Sequence, residues 1–248
     1  MLMRESRQVK IPLQKPMFRL LSIADLVTLL NMVLGFLSLL MVVSNHLQLA
    51  ASLILLGLLA DGLDGIVARR LGNGQIGEQL EPIADMVSLS VAPLLLVYIL
   101  YYDSVVSQMN MHLFLAGVLV FSLLCSIIRL SSFSLLKEKH WFVGLPTSAS
   151  AMFLVLTIYL RFEMWYVLPC IILLSVAMIS SIRFPKLAGK VNLIAAVLII
   201  ATIVLDSQYG NIAPLLLLVA LAAYVFFGPV YLLLKKGNVT GTLETRSQ

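Results

Sequence analysis

Charge is what this sequence has least of. Lys, Arg, Asp and Glu make up 12% of its 248 residues, about half the fraction of an ordinary soluble domain, which excludes a water-soluble globule of this size. Cysteine is nearly absent. Cys125 and Cys170 stand in separate apolar runs with no Cys/His pattern nearby, so the chain offers no basis for structural zinc and argues against a disulfide. Both are expected as small buried apolar residues. His46, His112 and His140 lie near expected loops, and none is placed for catalysis. What fills the chain instead is apolar sequence, 60% of it, which implies an integral membrane protein built as one helical domain.

Eight apolar stretches are expected to cross the membrane: 22–44, 47–70, 81–102, 111–134, 146–161, 164–182, 190–206 and 211–234. Each is near the ~20 residues a bilayer core requires. The fifth is short and is preceded by Gly144-Leu145-Pro146. This gives a polytopic all-α bundle with three parts: a basic cytoplasmic segment at 1–20, a transmembrane domain at 21–236, and a flexible polar cytoplasmic tail at 237–248. Pro12 and Pro16 argue against one long helix in the first part. No internal repeat is visible.

The net charge of +5 could suggest nucleic acid, but its distribution fits membrane orientation. With eight crossings both termini share a side. That side holds Arg4, Arg7, Lys10, Lys15, Arg19, Arg69, Arg70, Arg129, Lys137, Lys139, Arg183, Lys186, Lys190, Lys235, Lys236 and Arg246, and only Arg161 falls on the other. Sixteen cations against one is a strong positive-inside bias, so both termini are expected in the cytoplasm. Trp141, Trp165, Tyr101 and Tyr102 flank span ends and read as interfacial anchors. Asp25, near the start of the first span, reads as a helix cap close to the cytoplasmic face.

Against this background the stretch from 61 to 85, DGLDGIVARRLGNGQIGEQLEPIAD, stands out. Asp61, Asp64, Glu81 and Asp85 lie beside or inside apolar runs. At mid-membrane depth four acids could cost on the order of 10 kcal/mol, less near the interface. Asp61 and Asp64 are three apart, and Glu81 and Asp85 four apart, so each pair shares a helix face. A turn at Gly72-Asn73-Gly74 would bring the faces together. Converging carboxylates suit hard divalent cations, and two such ions would cancel the charge.

Asp61-x-x-Asp64-Gly65-x-x-Ala68-Arg69, followed by Gly77-x-x-x-Glu81-x-x-x-Asp85, resembles the signature of the CDP-alcohol phosphatidyltransferases, D-x-x-D-G-x-x-A-R, about eight residues, then G-x-x-x-D-x-x-x-D. Seven of the eight fixed positions match in type. The spacer has seven residues, and Glu81, followed by Pro82, stands where the family has its third Asp. A longer carboxylate can move a metal by about an ångström, and errors of that size can cost ~100-fold in rate. The resemblance implies that family's fold and two divalent cations, Mg2+ or Mn2+, held by Asp61, Asp64, Glu81 and Asp85. It also implies Asp85 as the general base and a CDP-lipid bound along Asp61, Gly65, Ala68, Arg69 and Gly77.

Further stretches are similar to the phosphatidylserine synthase branch, including the archaetidylserine synthases: Ala84-Asp85-Met86-Val87-Ser88 continuing to Val91-Ala92-Pro93, Arg129-Leu130-x-x-Phe133, 142–147 (FVGLPT), 182–185 (IRFP), and 26–31 (LVTLLN) with Gly35. They imply L-serine attacking CDP-diacylglycerol or CDP-archaeol with release of CMP, in a homodimer within a prokaryotic cell membrane. A serine carboxylate needs a cation, and Arg129 and Arg183 offer bidentate forks, with Thr147 as a further acceptor contact. The alternatives are a sister enzyme using inositol phosphate or glycerol phosphate, and a cation transporter whose acids bind the permeating ion.

Overall fold

The computed structural model describes residues 17–72, 74, 76–132, 141–185, 189–205 and 211–244. Arg4, Arg7, Lys10, Pro12, Lys15, Pro16, Asn73, Lys137, Lys139, His140, Lys186 and Arg246 lie outside them.

Helix α1, Ile23–Val43, has its polar residues facing inward. It buries Asp25, Thr28, Asn31, Gly35 and Ser38, about one per turn, and turns Leu26, Leu30, Val33, Leu37 and Leu40 outward. In water this pattern would be inverted. In a bilayer the lipid solvates the leucines, while small and polar residues make the interhelical contacts. The helix starts with a capping box. Ser22 Oγ accepts from the Asp25 N–H at 3.3 Å, and Asp25 Oδ2 accepts from the Ser22 N–H at 2.7 Å. The cap residue is therefore Ser22, with Asp25 as its reciprocal partner.

Helix α2, Leu47–Leu71, packs against α1 and carries Ala50, Ala51, Ile54, Leu55 and Leu58 into the main apolar core. Gly72 ends it with φ +87°, a conformation that favours glycine. The chain then rises through α3, Gly77–Asp85, a π-helical turn, Met86–Val91, and α4, Ala92–Val105. The π turn has a local cause. Pro93 lacks the N–H that would bond the Leu89 carbonyl, and the Ala92 N–H reaches five residues back to Val87. At this turn α1 meets the chain backbone to backbone: a Cβ on Gly35 would lie 2.5 Å from Ser88 Cα.

Helix α5, Met109–Ser132, leads to α6, Thr147–Leu160, and α7, Met164–Ile179. These are followed by α8, Gly189–Leu205, and α9, Ile212–Glu244. Two three-residue strands, β1 at Trp141–Val143 and β2 at Arg183–Pro185, pair antiparallel with Phe142 opposite Phe184. They close over the ends of α5 and α7. The all-α bundle is otherwise as expected; Gly144, at φ +74°, and the extended Pro146 precede α6 and leave room for this short ladder.

The molecule is a multi-pass membrane protein. Five segments are long and apolar enough to cross a bilayer: Ile23–Val43, Leu47–Arg70, Gly77–Val105, Met109–Ser132 and Ile212–Leu232. The expected fifth, sixth and seventh crossings are shorter, at Thr147–Leu160, Met164–Ile179 and Val191–Leu205. The 14 residues of α6 reach only ~21 Å at 1.5 Å per residue, short of a ~30 Å core. Its helix stops at Arg161, which takes φ +48°. At the other end of the chain, α9 runs on to Glu244. It takes in positions 237–244 of the expected polar tail.

Two aromatics differ from the expected anchor role. Tyr101 is buried, and its hydroxyl donates to the Phe162 carbonyl at 2.7 Å, tying α4 to the turn between α6 and α7. Tyr102 packs edge-on against His112, whose Nε2 lies 2.8 Å from the Tyr98 hydroxyl. Trp165 is exposed. Cys125 is buried and Cys170 partly so, both as free thiols.

Candidate active site

The C-terminal half of α2, with Asp61 and Asp64, and the C-terminal half of α3, with Glu81 and Asp85, bring the four acids toward one another. The carboxyl groups of Asp61 and Asp85 are within hydrogen-bonding reach of each other. Asp64 and Glu81 lie within electrostatic range of both. Helix periodicity accounts for Asp61 and Asp64, which sit one turn apart on α2. The reversal at Gly72 accounts for the meeting with Asp85, 24 residues later in the sequence.

Helix α1 forms a second wall of the site. Thr28 Oγ1 donates to Asp64 Oδ2 at 2.7 Å, and Asn31 Nδ2 donates to Asp85 Oδ1 at 3.1 Å. Asp25 adds a fifth acid within electrostatic range of Asp64. A Cβ on Gly74 would run into the Asp25 carboxylate, so the turn between α2 and α3 closes directly onto the start of α1. The contacts of Thr28 and Asn31 with the acids were not read from the sequence. Their signal was there all the same: polar residues three apart within an apolar run, on the face a membrane helix turns inward.

Arg129, in the last turn of α5, provides a third wall. It is buried, with Nε donating to the Leu145 carbonyl at 2.6 Å and Nη1 donating to Thr147 Oγ1 at 2.9 Å. It lies within electrostatic range of Asp85, Asp61 and Tyr224. Two of the three acceptor candidates therefore meet. Arg183 stands apart: it is exposed, and its guanidinium lies 4.9 Å over the Trp141 ring. Helix α9 approaches through Tyr224, whose hydroxyl donates to the Pro185 carbonyl at 3.3 Å.

The outer face of α2 is open beside Gly62 and Gly65. A Cβ on Gly62 would meet nothing within 4 Å, and one on Gly65 only Arg69 Nη1 at 3.6 Å. Arg69 is exposed, while Ala68 and Gly77 are half-buried.

The donor chemistry fits a divalent cation. All four side chains offer hard carboxylate oxygens, and Asp61 and Asp85 are pressed together as like charges that a cation would reconcile. Among the described residues no three His, Cys, Asp or Glu side chains form a ready cage. A bound ion would therefore complete its shell with water or substrate oxygens, as Mg2+ commonly does.

Fold and site together define a multi-pass membrane protein with an acid-rich centre at one end of its bundle. Residues 21–180 match the CDP-alcohol phosphatidyltransferase family, and the chain belongs to it. That match spans α1 to α7 and leaves α8 and α9 outside. The chain is 36% identical over 176 residues to the CDP-diacylglycerol–serine O-phosphatidyltransferase of Methanocaldococcus jannaschii, covering 70% of this chain and 78% of that one. It is 34% identical over 178 residues to the archaetidylserine synthase of Methanothermobacter thermautotrophicus, covering 68% and 72%. A serine O-phosphatidyltransferase of Bacillus subtilis is 30% identical over 164 residues, covering 64% and 88%.

Proposed function

We propose that this protein transfers the phosphatidyl or archaetidyl group of a CDP-lipid to the hydroxyl of L-serine, releasing CMP. The observation that carries the reading is the meeting of Asp61 and Asp85 opposite an Arg129 fastened by Leu145 and Thr147. The serine-specific names of the relatives support the choice of acceptor.

In this reading Asp61, Asp64, Glu81 and Asp85 hold two divalent cations, in keeping with the family's general dependence on such metals. Bound there, the ions would neutralise the diphosphate of the CDP-lipid and ease departure of CMP. The small residues Gly65, Ala68 and Gly77 let the nucleotide approach the backbone closely, and Arg69 meets a phosphate oxygen. Asp85 accepts the proton of the serine hydroxyl as its oxygen bonds to the lipid-side phosphorus. The bond from that phosphorus to the bridging oxygen breaks, and CMP leaves with the electron pair. Arg129 and Thr147 receive the serine carboxylate, with Arg183, exposed over Trp141, as an outer acceptor contact.

The cation distribution supports a cytoplasmic site and cytoplasmic termini in a prokaryotic membrane. A homodimer belongs to this reading by family resemblance alone. The test is CMP release from membranes given CDP-diacylglycerol or CDP-archaeol, Mg2+ or Mn2+, and labelled serine, inositol phosphate or glycerol phosphate. Label entering lipid from serine is expected. Label entering only from a phosphorylated acceptor would reject serine.

A further inference from the structure

We propose that Thr28 and Asn31 of α1 are positioning residues that set the orientations of Asp64 and Asp85, and that Gly57 of α2 keeps the Asn31 amide in place. The proposal rests on the reading of the acids as the metal and base set.

Both donors are buried and one turn apart on α1, yet their acceptors belong to different helices, Asp64 on α2 at 2.7 Å and Asp85 on α3 at 3.1 Å. Each fastens a single oxygen of its carboxylate. Both donors are neutral, which matters at this centre. A Lys or Arg at either position would neutralise the acid and compete with a divalent ion, whereas a hydroxyl or amide orients the carboxylate and leaves its charge available.

Asn31 also departs from what packing alone would select. Its Oδ1 is buried without a hydrogen-bond partner, an arrangement that costs stability, and an apolar side chain of the same size would avoid that cost. Helix α2 carries no side chain opposite the amide, and a Cβ on Gly57 would lie 3.0 Å from Asn31 Oδ1, close enough to push the amide by a few tenths of an ångström. Gly57 touches neither acid, so it reports on Asn31 independently.

The experiment uses the full-length protein in detergent. Mn2+ binding is followed by electron paramagnetic resonance without substrates, CMP release gives kcat and the serine KM, and thermal melting confirms folding. Thr28→Val, which keeps shape and loses the hydroxyl, is expected to weaken Mn2+ binding about tenfold or more, while Thr28→Ser stays close to wild type. Asn31→Leu and Gly57→Ala are each expected to lower kcat about tenfold with little change in serine KM. Folded Thr28→Val with wild-type Mn2+ affinity, or folded Asn31→Leu and Gly57→Ala with wild-type kcat, would overturn the proposal. If Thr28→Val fails to fold, Thr28→Ser and Gly57→Ala decide: weakened Mn2+ binding in the first, or unchanged kcat in the second, overturns it. Wild-type protein that binds Mn2+ but releases no CMP with serine would sink the proposed function, and the Thr28 comparison would still decide this inference.

Discussion

Arg129 and Thr147 meet where α5 ends and α6 begins, with Nη1 donating to Oγ1 at 2.9 Å. The same guanidinium donates through Nε to the carbonyl of Leu145 at 2.6 Å, so the break between β1 and α6 fixes the plane of the fork. The Gly144 backbone that shapes this break is packed tightly against the Met178 carbonyl of α7. Arg129 is thus held beside the acids by the segment 144–147, which α7 backs at Met178.

Replacing Arg129 with Lys keeps the charge and loses the fork. A lysine ammonium cannot match both the Leu145 carbonyl and Thr147 Oγ1 while presenting a planar face to a carboxylate. The expected outcome is a rise of about tenfold or more in serine KM, read from initial rates of CMP release. Arg183→Lys, at the exposed position over Trp141, is expected to change the same constant less than threefold.

Asp85→Asn keeps the size of the side chain and removes the proton acceptor. Loss of a general base costs about 10²–10⁴ in rate, so CMP release should fall to background. The variant should melt no earlier than wild type, since the substitution also removes a like charge beside Asp61.

Glu81→Asp restores the shorter carboxylate that the family pattern carries at this position. CMP release is expected to be kept or raised, with a change in the ratio of Mg2+ to Mn2+ rates. Abolished activity in this variant would show that the longer side chain is tuned to its site.

Gly35 faces Ser88 at the π turn with no room for a side chain; an added Cβ would lie 2.5 Å from Ser88 Cα. Gly35→Ala is therefore expected to force α1 away from the turn that follows Asp85. Overpacking of this kind costs about 1–3 kcal/mol, visible as a lower melting temperature in detergent, together with reduced CMP release.

Chelation tests the dependence on metal directly. EDTA should abolish CMP release, and Mg2+ or Mn2+ added in excess should restore it, whereas Ca2+ tests how strictly the site selects by size. Activity that survives complete chelation would contradict the assignment of the acids.

The sequence by itself determined the membrane class, the apolar stretches that form the helices and the helical spacing of the acids between 61 and 85. Hydropathy acts along the chain, and the spacing of Asp61 from Asp64 and of Glu81 from Asp85 carries helical periodicity without reference to anything distant. The motif also located the family. Only the tertiary structure decided which side chains from other helices complete the site. Thr28 and Asn31 look like isolated polar residues in a leucine-rich run until α1 packs on α2 and α3. Arg129 and Arg183 read alike as bidentate forks until Leu145 and Thr147 fold against Arg129, while Arg183 ends on the surface over Trp141. Such pairings depend on helix rotation and close backbone approach at Gly35, Gly57 and Gly144. These are properties of packed surfaces in three dimensions, and no local periodicity encodes them.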